Sequence, residues 1–535
     1  MRKLLPLLAL VLGIAPAAVA EGRLPDSDFR ALHGADAQAF VVPPDMHLVR
    51  TLSLAGGVTY QRFQQIHRGA SVVGGQISVV LAADGHPLSV TGAHYANVAG
   101  RNSVQIGRSE AARTARRDVG WASRRSISLR IDPATGRYFY QVESVQLGSR
   151  WVHWIDAANG RILRRIDALA KAHGTGVKGD TKDMNGPNNS STTDDLTKYH
   201  SRAGHGRKRA HWDLFSKDNR QRTYTAKNTT TTAYYATDAD NHWTSVTSNR
   251  RSPGQPAMVD AQFYANATDD YFQKRLGLNW QSCYPRMESV VHLGINVNNA
   301  AWDGQEVVFG DGDGVDYREF SGALDVVAHE WTHGLTQCTS NLMYSGESGA
   351  LNEAFSDILG ASAEYFTAEP VKSKCVLASG QAACRDWWMG EDIVLASDTV
   401  PGDRNLADPA EDGLPDHYDE RYTGPEDNGG VHRNMSIPSH AYYLLVGGGQ
   451  NAGCDAVGSD GHTHTADCDV TVAGIGRTKA EKIFFWGFIG LTETASMCDA
   501  RLSTEAEGEV LYGVGSAEAQ ATTAAWDAVG VPSSC

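Results

Sequence analysis

The first 282 residues contain no cysteine, and none of the eight that follow forms a Cys-x-x-Cys pair. That spacing argues against a thiolate metal site. The even number (Cys283, Cys338, Cys375, Cys384, Cys454, Cys468, Cys498 and Cys535) suits disulfides in an exported chain. Eight cysteines allow on the order of a hundred pairings; joining neighbours (283–338, 375–384, 454–468, 498–535) keeps every loop short. Lysine is missing from residues 101–170, where thirteen arginines face six carboxylates, a net of +7 in a chain of −14. The remainder therefore sums to −21. The excess of acid argues against nucleic acid as a partner and leaves carboxylates available for calcium. A basic segment joined to an acidic remainder suggests electrostatic docking, although a solvated basic face would give the same composition. Internal repeats are missing too, and beyond residue 20 no apolar run is long enough to span a bilayer.

What is present begins with a leader pattern. Arg2 and Lys3 precede an apolar stretch at 4–14, and Ala18-Val19-Ala20 is a small-x-small cleavage site. Residues 1–20 are therefore expected to be a secretory signal peptide, too short to anchor, and the mature protein to be extracellular and free of the membrane. At 535 residues the chain exceeds one core, so three or four folding units are expected.

Residues 21–170 read as β-rich. Positions 58–90 alternate apolar and polar residues, with a hairpin turn at Asp84-Gly85. A helix is predicted at 109–117, strands at 126–131, 137–146 and 151–156, and a turn at Asn159-Gly160. A glycine-rich seam lies between Ala168 and Lys178. Further on, Val259, Phe263, Tyr264, Ala267, Tyr271 and Phe272 recur at helical spacing, which predicts a core-facing helix over 259–276. A strand is expected at 289–293, and helices at 433–446, 477–496 and 517–529. Asp311 and Asp313 hint at an EF-hand, but Val315 and Gly322 occupy its fifth and twelfth positions, so that reading fails. His462 and His464, between Cys454 and Cys468, fit a polar disulfide loop better than a second metal site.

The chemistry centres on the run from Asp325 to His333, which contains His-Glu-x-x-His. On a helix, His329 and His333 project from one face one turn apart, the spacing at which two neutral imidazoles hold one Zn²⁺. Glu330 stands beside them, within reach of a proton on a water molecule held at the metal. A catalytic zinc needs a third protein ligand and an open position. Downstream, in the run from Ser348 to Asp357, Glu353 can be that ligand. Asp357, one turn further, can accept the N–H of a zinc-bound histidine, His329 being the candidate. Nineteen residues, 334–352, separate His333 from Glu353, enough for a turn near Ser345-Gly346 and a returning helix.

These residues resemble the thermolysin family of zinc endopeptidases, thermolysin being itself the type example of a His₂Glu zinc site. The resemblance covers most of 50–166 and nearly all of 174–535. Tyr60-x-x-Phe63-Gln64-Gln65 with Gly69 and Gly74-Gly75 resembles the propeptide segment shared by fungalysins and thermolysins, and 108–166 a second propeptide module. The resemblance implies an α+β protein. A propeptide at 21–170 (modules 50–98 and 105–168) would precede a β-rich catalytic lobe at 171–336 and a mainly helical lobe at 337–535, with zinc in the cleft between the lobes. It further implies that His432, oriented by Asp427, and Tyr344 stabilise the oxyanion. Arg404, Asn299 and the Ala300 carbonyl would hold the peptide, the last two by strand addition. Asp325, Glu364, Asp386 and Glu391 match calcium ligands, and Asp238 and Asp240 a second calcium stretch for which an exposed turn is an equal reading. Tyr317, Phe320, Val326, Met389 and Ile393 match the main specificity pocket, so cleavage before large apolar residues is expected. Two departures stand out. Trp388 replaces a glutamate ligand, which favours one calcium over two, and Asp403 replaces an apolar residue beside the pocket. The implied partners are protein or peptide substrates and the chain's own propeptide, acting as intramolecular chaperone and inhibitor; a monomer is expected. The competing readings are a zinc aminopeptidase, whose gap is eighteen residues and whose Gly-x-Met-Glu-Asn is missing here, and a non-catalytic binding protein on the same fold.

Overall fold

The computed structural model describes residues 30–120, 122, 124–146, 149–167, 198–200, 210–216, 219–238, 243, 254–368, 387–395, 402–451 and 469–535. The fold is α+β, with sheets in the N-terminal part and helices in the C-terminal part. The expected leader, the seam at 168–178, Asp240, Asp386, His462, His464 and four of the cysteines lie outside the described residues.

The N-terminal unit is one nine-stranded sheet. Alternating burial along Thr59–His67 and Arg124–Asp132 is the period-two pattern that a sheet requires. The two segments read as separate modules are fused: Ala70–Leu81 and Arg124–Asp132 pair in parallel through Ser71↔Arg130 and Val72↔Ile131. The Arg108–Val119 helix buries Ala111 and Ala115, in one apolar cluster with Val142 and Ile155 of the sheet.

This unit shares its core with the rest. Leu52, Leu54, Tyr60 and Val80 belong to the same buried cluster as the C-terminal helices. Several polar side chains bond across the junction between the two parts. Arg62 donates to the carbonyls of Leu491 (2.6 Å) and Ser340 (3.1 Å), and the Tyr60 hydroxyl to that of Ile489 (2.9 Å). Arg130 pairs with Glu493, whose carboxylate also accepts the Gly74 N–H. Arg124 reaches Asp303 at 3.4 Å. Other arginines of the basic segment pair within it, Arg150 with Glu143, Arg137 with Asp156 and Arg165 with Asp118. Docking thus rests on a shared core and a few buried bonds more than on opposed charged faces.

Beyond that unit a five-stranded sheet ends at the edge strand Ala300–Trp302, which among the described residues pairs only with Val307–Phe309. The predicted 259–276 helix spans Pro256–Lys274, started by Pro256 in the first turn, where a missing N–H costs nothing. The Leu324–Cys338 helix is buried on nearly every side, with only Gln337 partly exposed, so it runs through the middle of the molecule. The boundary placed at 336/337 falls inside it. Two glycines let it pack closely. A Cβ on Gly334 would lie 2.7 Å from the Trp280 ring, and one on Gly360 of the Gly346–Ala368 helix 2.7 Å from the Asp325 carbonyl. The disulfide Cys283–Cys338 ties down its C-terminal end, and Cys498–Cys535 closes as paired above.

The C-terminal helices depart from expectation at one place. The helix read as 477–496 stops at Gly490, and a further helix, Met497–Tyr512, was not anticipated. The carbonyls of Gly490 and Leu491, which a continuing helix would keep, go instead to Thr91 and Arg62. Ser496 and Asp499 then form a capping box that starts the new helix. The helix read as 433–446 is likewise two, Asp427–Asn434 and Ser436–Gly447.

Candidate metal centre

The two central helices bring together the three residues predicted from spacing. His329 Nε2 lies 3.0 Å from His333 Nε2 and 3.3 Å from Glu353 Oε2, and His333 Nε2 lies 3.6 Å from Glu353 Oε1. One ligand atom from each falls within 4.8 Å of the others, and all three side chains are buried.

The outer faces of the rings fix their tautomers. His329 Nδ1 is 2.8 Å from Asp357 Oδ1, and His333 Nδ1 is 2.8 Å from Asn352 Oδ1. Both oxygens are acceptors, so each Nδ1 carries the proton and each Nε2 presents a lone pair. Two lone pairs and a carboxylate then converge on one buried point, an arrangement that repels itself unless a cation sits there. The donor set is that of a catalytic zinc, two imidazoles and one carboxylate. Protons alone distribute unevenly over it. Burial opposes charge on His329, yet Asp357 and Glu353 prevail and lift it to about 10. Burial pushes His333 down to about 4, with the neighbouring His329 adding to the effect. Burial works to raise Glu353, but His432, His333 and His329 hold it well below the usual carboxylate range.

Glu330 is turned toward the edge strand. Its Oε2 accepts the Trp302 N–H at 2.8 Å, while Oε1 is buried without a hydrogen-bond partner among the described residues. Burial pushes its carboxyl up to about 8, against the pull of His329. On the opposite side Tyr344 donates to Glu353 Oε1, and its hydroxyl is 3.0 Å from His432 Nε2. His432 Nδ1 lies 2.6 Å from Asp427 Oδ1, and Asp427 Oδ2 accepts the His432 N–H at 2.7 Å. Asp427, Asn428, Gly429 and Gly430 all have positive φ, a tight left-handed run that folds Asp427 back onto His432. Arg404 grips Asp357 with two bonds, Nε to Oδ2 at 3.0 Å and a terminal nitrogen to Oδ1 at 2.7 Å. Ala300 lies on the edge strand, and Asn299, just before it, has an Oδ1 that is buried and without a hydrogen-bond partner among the described residues.

The calcium candidates are brought together only in part. Glu364 and Glu391 cluster with Asp392, which sequence analysis missed, within 4.8 Å. Asp325 accepts the Gly390 N–H at 2.5 Å, outside that cluster. Asp313 accepts the N–H groups of Val315, Asp316 and Tyr317, so it organises a loop, in keeping with the rejected EF-hand. Of the pocket candidates, Phe320, Val326, Met389 and Ile393 are buried, and Tyr317 keeps some exposure. Asn352 also went unpredicted. It stands beside Glu353 in the motif, but only the helix crossing reveals that it faces His333.

Known proteins resemble the chain along most of its length. The family model described as thermolysin metallopeptidase, catalytic domain, matches residues 173–337, and the one for its alpha-helical domain matches 340–531. The fungalysin/thermolysin propeptide motif matches 45–93. Bacillolysin of Brevibacillus brevis is 34% identical over 496 residues, covering 88% of this chain and 82% of that protein. Thermolysin of Bacillus sp. (strain EA1) is 32% identical over 515 residues, covering 89% and 84%. Among solved structures, the precursor of protealysin from Serratia proteamaculans is 27% identical, covering 58% of this chain and 87% of that one, with a TM-score of 0.44.

Proposed function

The chain belongs to the thermolysin family of zinc metallopeptidases, secreted endopeptidases made with a propeptide, and from that premise we propose how its residues divide the reaction. His329, His333 and Glu353 hold the zinc, with Asp357 and Asn352 fixing the two rings. Bound there, zinc polarises the scissile carbonyl and acidifies water. Glu330 takes a proton from the attacking water on its Oε1 and delivers it to the leaving nitrogen, while the Trp302 N–H holds its other oxygen still. His432 and Tyr344 donate hydrogen bonds to the oxyanion. The carboxylates of Glu353 and Asp427 outweigh burial and raise the His432 pKa, which favours the ring as a donor. Arg404, Asn299 and the Ala300 carbonyl position the peptide along the Ala300–Trp302 strand, which ends its sheet. The observation that carries this reading is the convergence of two Nε2 lone pairs and Glu353 on one buried point.

Cleavage is expected inside peptides, before large apolar residues. Peptides blocked at both ends test both parts: internal cuts before Leu should far outnumber those before Asp. Equal cutting, or no cut in blocked peptides, would overturn the assignment, the latter in favour of an aminopeptidase.

A structural calcium on Asp325, Glu364, Asp386 and Glu391 belongs to the proposal. The proximity of Glu364, Glu391 and Asp392 supports it, and Asp392 joins the set. Residues 21–170 act as a fold-assisting, inhibitory prosegment that releases a mature enzyme of two lobes, 171–336 and 337–535. Support comes from the shared core and from Arg62 satisfying carbonyls of the catalytic part. Expressed without the prosegment, the catalytic part is expected to yield little active enzyme, and supplying residues 21–170 as a separate chain to restore it. Full yield and activity without the prosegment would refute this role.

A further inference from the structure

We propose that Asp403 is a specificity-determining residue, a carboxylate in the wall of the pocket beside the metal centre that recruits a lysine or arginine immediately after the cut. The inference rests on the pocket assignment above and adds Lys and Arg to the large apolar residues expected after the cut.

Asp403 stands at the head of the short strand Arg404–Asn405, which pairs with Trp388–Met389. Its N–H donates to the Met389 carbonyl at 2.8 Å, which sets it against the pocket segment. Its Oδ1 accepts from the Tyr317 hydroxyl at 3.2 Å. Its Oδ2 is buried and has no hydrogen-bond partner among the described residues. The neighbouring Arg404 does not supply one; its Nε and one terminal nitrogen go to Asp357, which also holds His329. Four of the five pocket candidates are core residues; the fifth, Tyr317, keeps its exposure and turns its hydroxyl to Asp403. The Tyr317–Asp403 pair is therefore the polar part of a lining whose other members are apolar.

A desolvated carboxylate oxygen without a partner is unfavourable, and a cation brought by the substrate removes that cost. The surroundings favour a cation. Asp403 is faced by Asp325 from the Leu324–Cys338 helix, Asp357 from the Gly346–Ala368 helix, Tyr317 from the preceding loop and Arg404 from its own strand. That is three carboxylates, itself included, against one guanidinium. A leucine in the same place leaves Oδ2 unpaired, which the pocket tolerates only with Asp403 protonated. Burial is the largest influence on Asp403 and pushes it up to about 7, against Arg404 and the Tyr317 hydroxyl. The preference for Lys or Arg over Leu should accordingly rise as pH increases through about 7.

The test uses the zinc-loaded mature enzyme and end-blocked peptides that differ only in Leu, Gln, Lys or Arg after the cut, digested in competition. The kcat/KM ratio cancels the titration of Glu330 and His432, which act on every substrate alike. The Lys:Leu and Arg:Leu ratios are expected to fall about ten- to hundredfold in Asp403→Leu and in the isosteric Asp403→Asn, and to lose their pH dependence. Zinc content and thermal unfolding report the fold of each variant; Asp403→Asn carries the test should Asp403→Leu not fold. Ratios unchanged in a folded variant, or a Gln substrate favoured as much as Lys, overturn the proposal. If the enzyme cuts before Leu and the ratios do not move, the Asp403 assignment alone falls. If it cuts before neither Leu nor Lys, the pocket assignment falls with it.

Discussion

Replacing Glu330 by Gln is expected to lower kcat/KM on a protein substrate by about 10³–10⁴-fold while zinc stays bound at one per chain. The substitution keeps the size of the side chain and an oxygen for the Trp302 N–H, so the edge strand and the helix should not move. What it removes is the capacity of the second atom to accept a proton. Glu330 touches neither Asp357 nor Asn352, the groups that orient the ligands, so metal affinity has no reason to change. Stability should hold or rise, because a buried carboxylate oxygen without a partner is replaced by a neutral group. Zinc analysis, turnover and thermal unfolding on the same sample decide the matter. Loss of zinc together with turnover would make Glu330 part of the metal's support, and retained turnover would remove it from the chemistry.

The legible part of this site was local. His329 and His333 are four apart, and helical geometry alone puts them on one face; Glu353 and Asp357 repeat that spacing on the next helix. Those four residues could be assigned because each pair depends on one short helix. The partners that complete them come from across the fold and leave no periodic trace. Nothing near Asn352 says that it will face His333 Nδ1, and nothing near Trp302 says that its N–H will hold Glu330. The same limit hid the break at Gly490. Its cause is Arg62, more than four hundred residues away in sequence, drawing the Leu491 carbonyl out of the helix. A local trace existed there, Ser496-x-x-Asp499, but a capping box inside an apolar helical pattern was overridden by the periodicity. The glycines were similarly mute. Gly334 and Gly360 look like weak points in two helices, and only the packed structure shows that they are where Trp280 and the Asp325 backbone come close. The metal ligands could be read from one-dimensional spacing and the fold class from the family resemblance, whereas the joining of the N-terminal sheet to the catalytic core could not.

Replacing Glu353 by Ala is expected to abolish both zinc binding and turnover, a deeper loss than that at Glu330. The two histidines would then face each other across 3.0 Å with no negative charge to balance a divalent ion. A neutral pair of imidazoles is a far weaker site than the same pair with a carboxylate, and the Tyr344 hydroxyl would lose its Glu353 acceptor. Dialysis against a chelator too weak to strip the parent protein should therefore empty the variant. Glu353→Gln separates charge from shape. It keeps an acceptor for Tyr344 but not the charge, and should also lose the metal. Thermal unfolding supplies a second readout, since a ligand that binds only the folded state stabilises it by about 2.7 kcal/mol at a hundred times its dissociation constant. The parent should melt lower after chelation and recover with zinc, while both variants should be indifferent to zinc. Because His329, raised against burial to about 10 by Asp357 and Glu353, must give up its extra ring proton to bind, zinc retention by the parent should improve as pH rises. Should Glu353→Ala hold stoichiometric zinc under these conditions, the third ligand is another group, and Glu353 serves only to orient Tyr344 and His432.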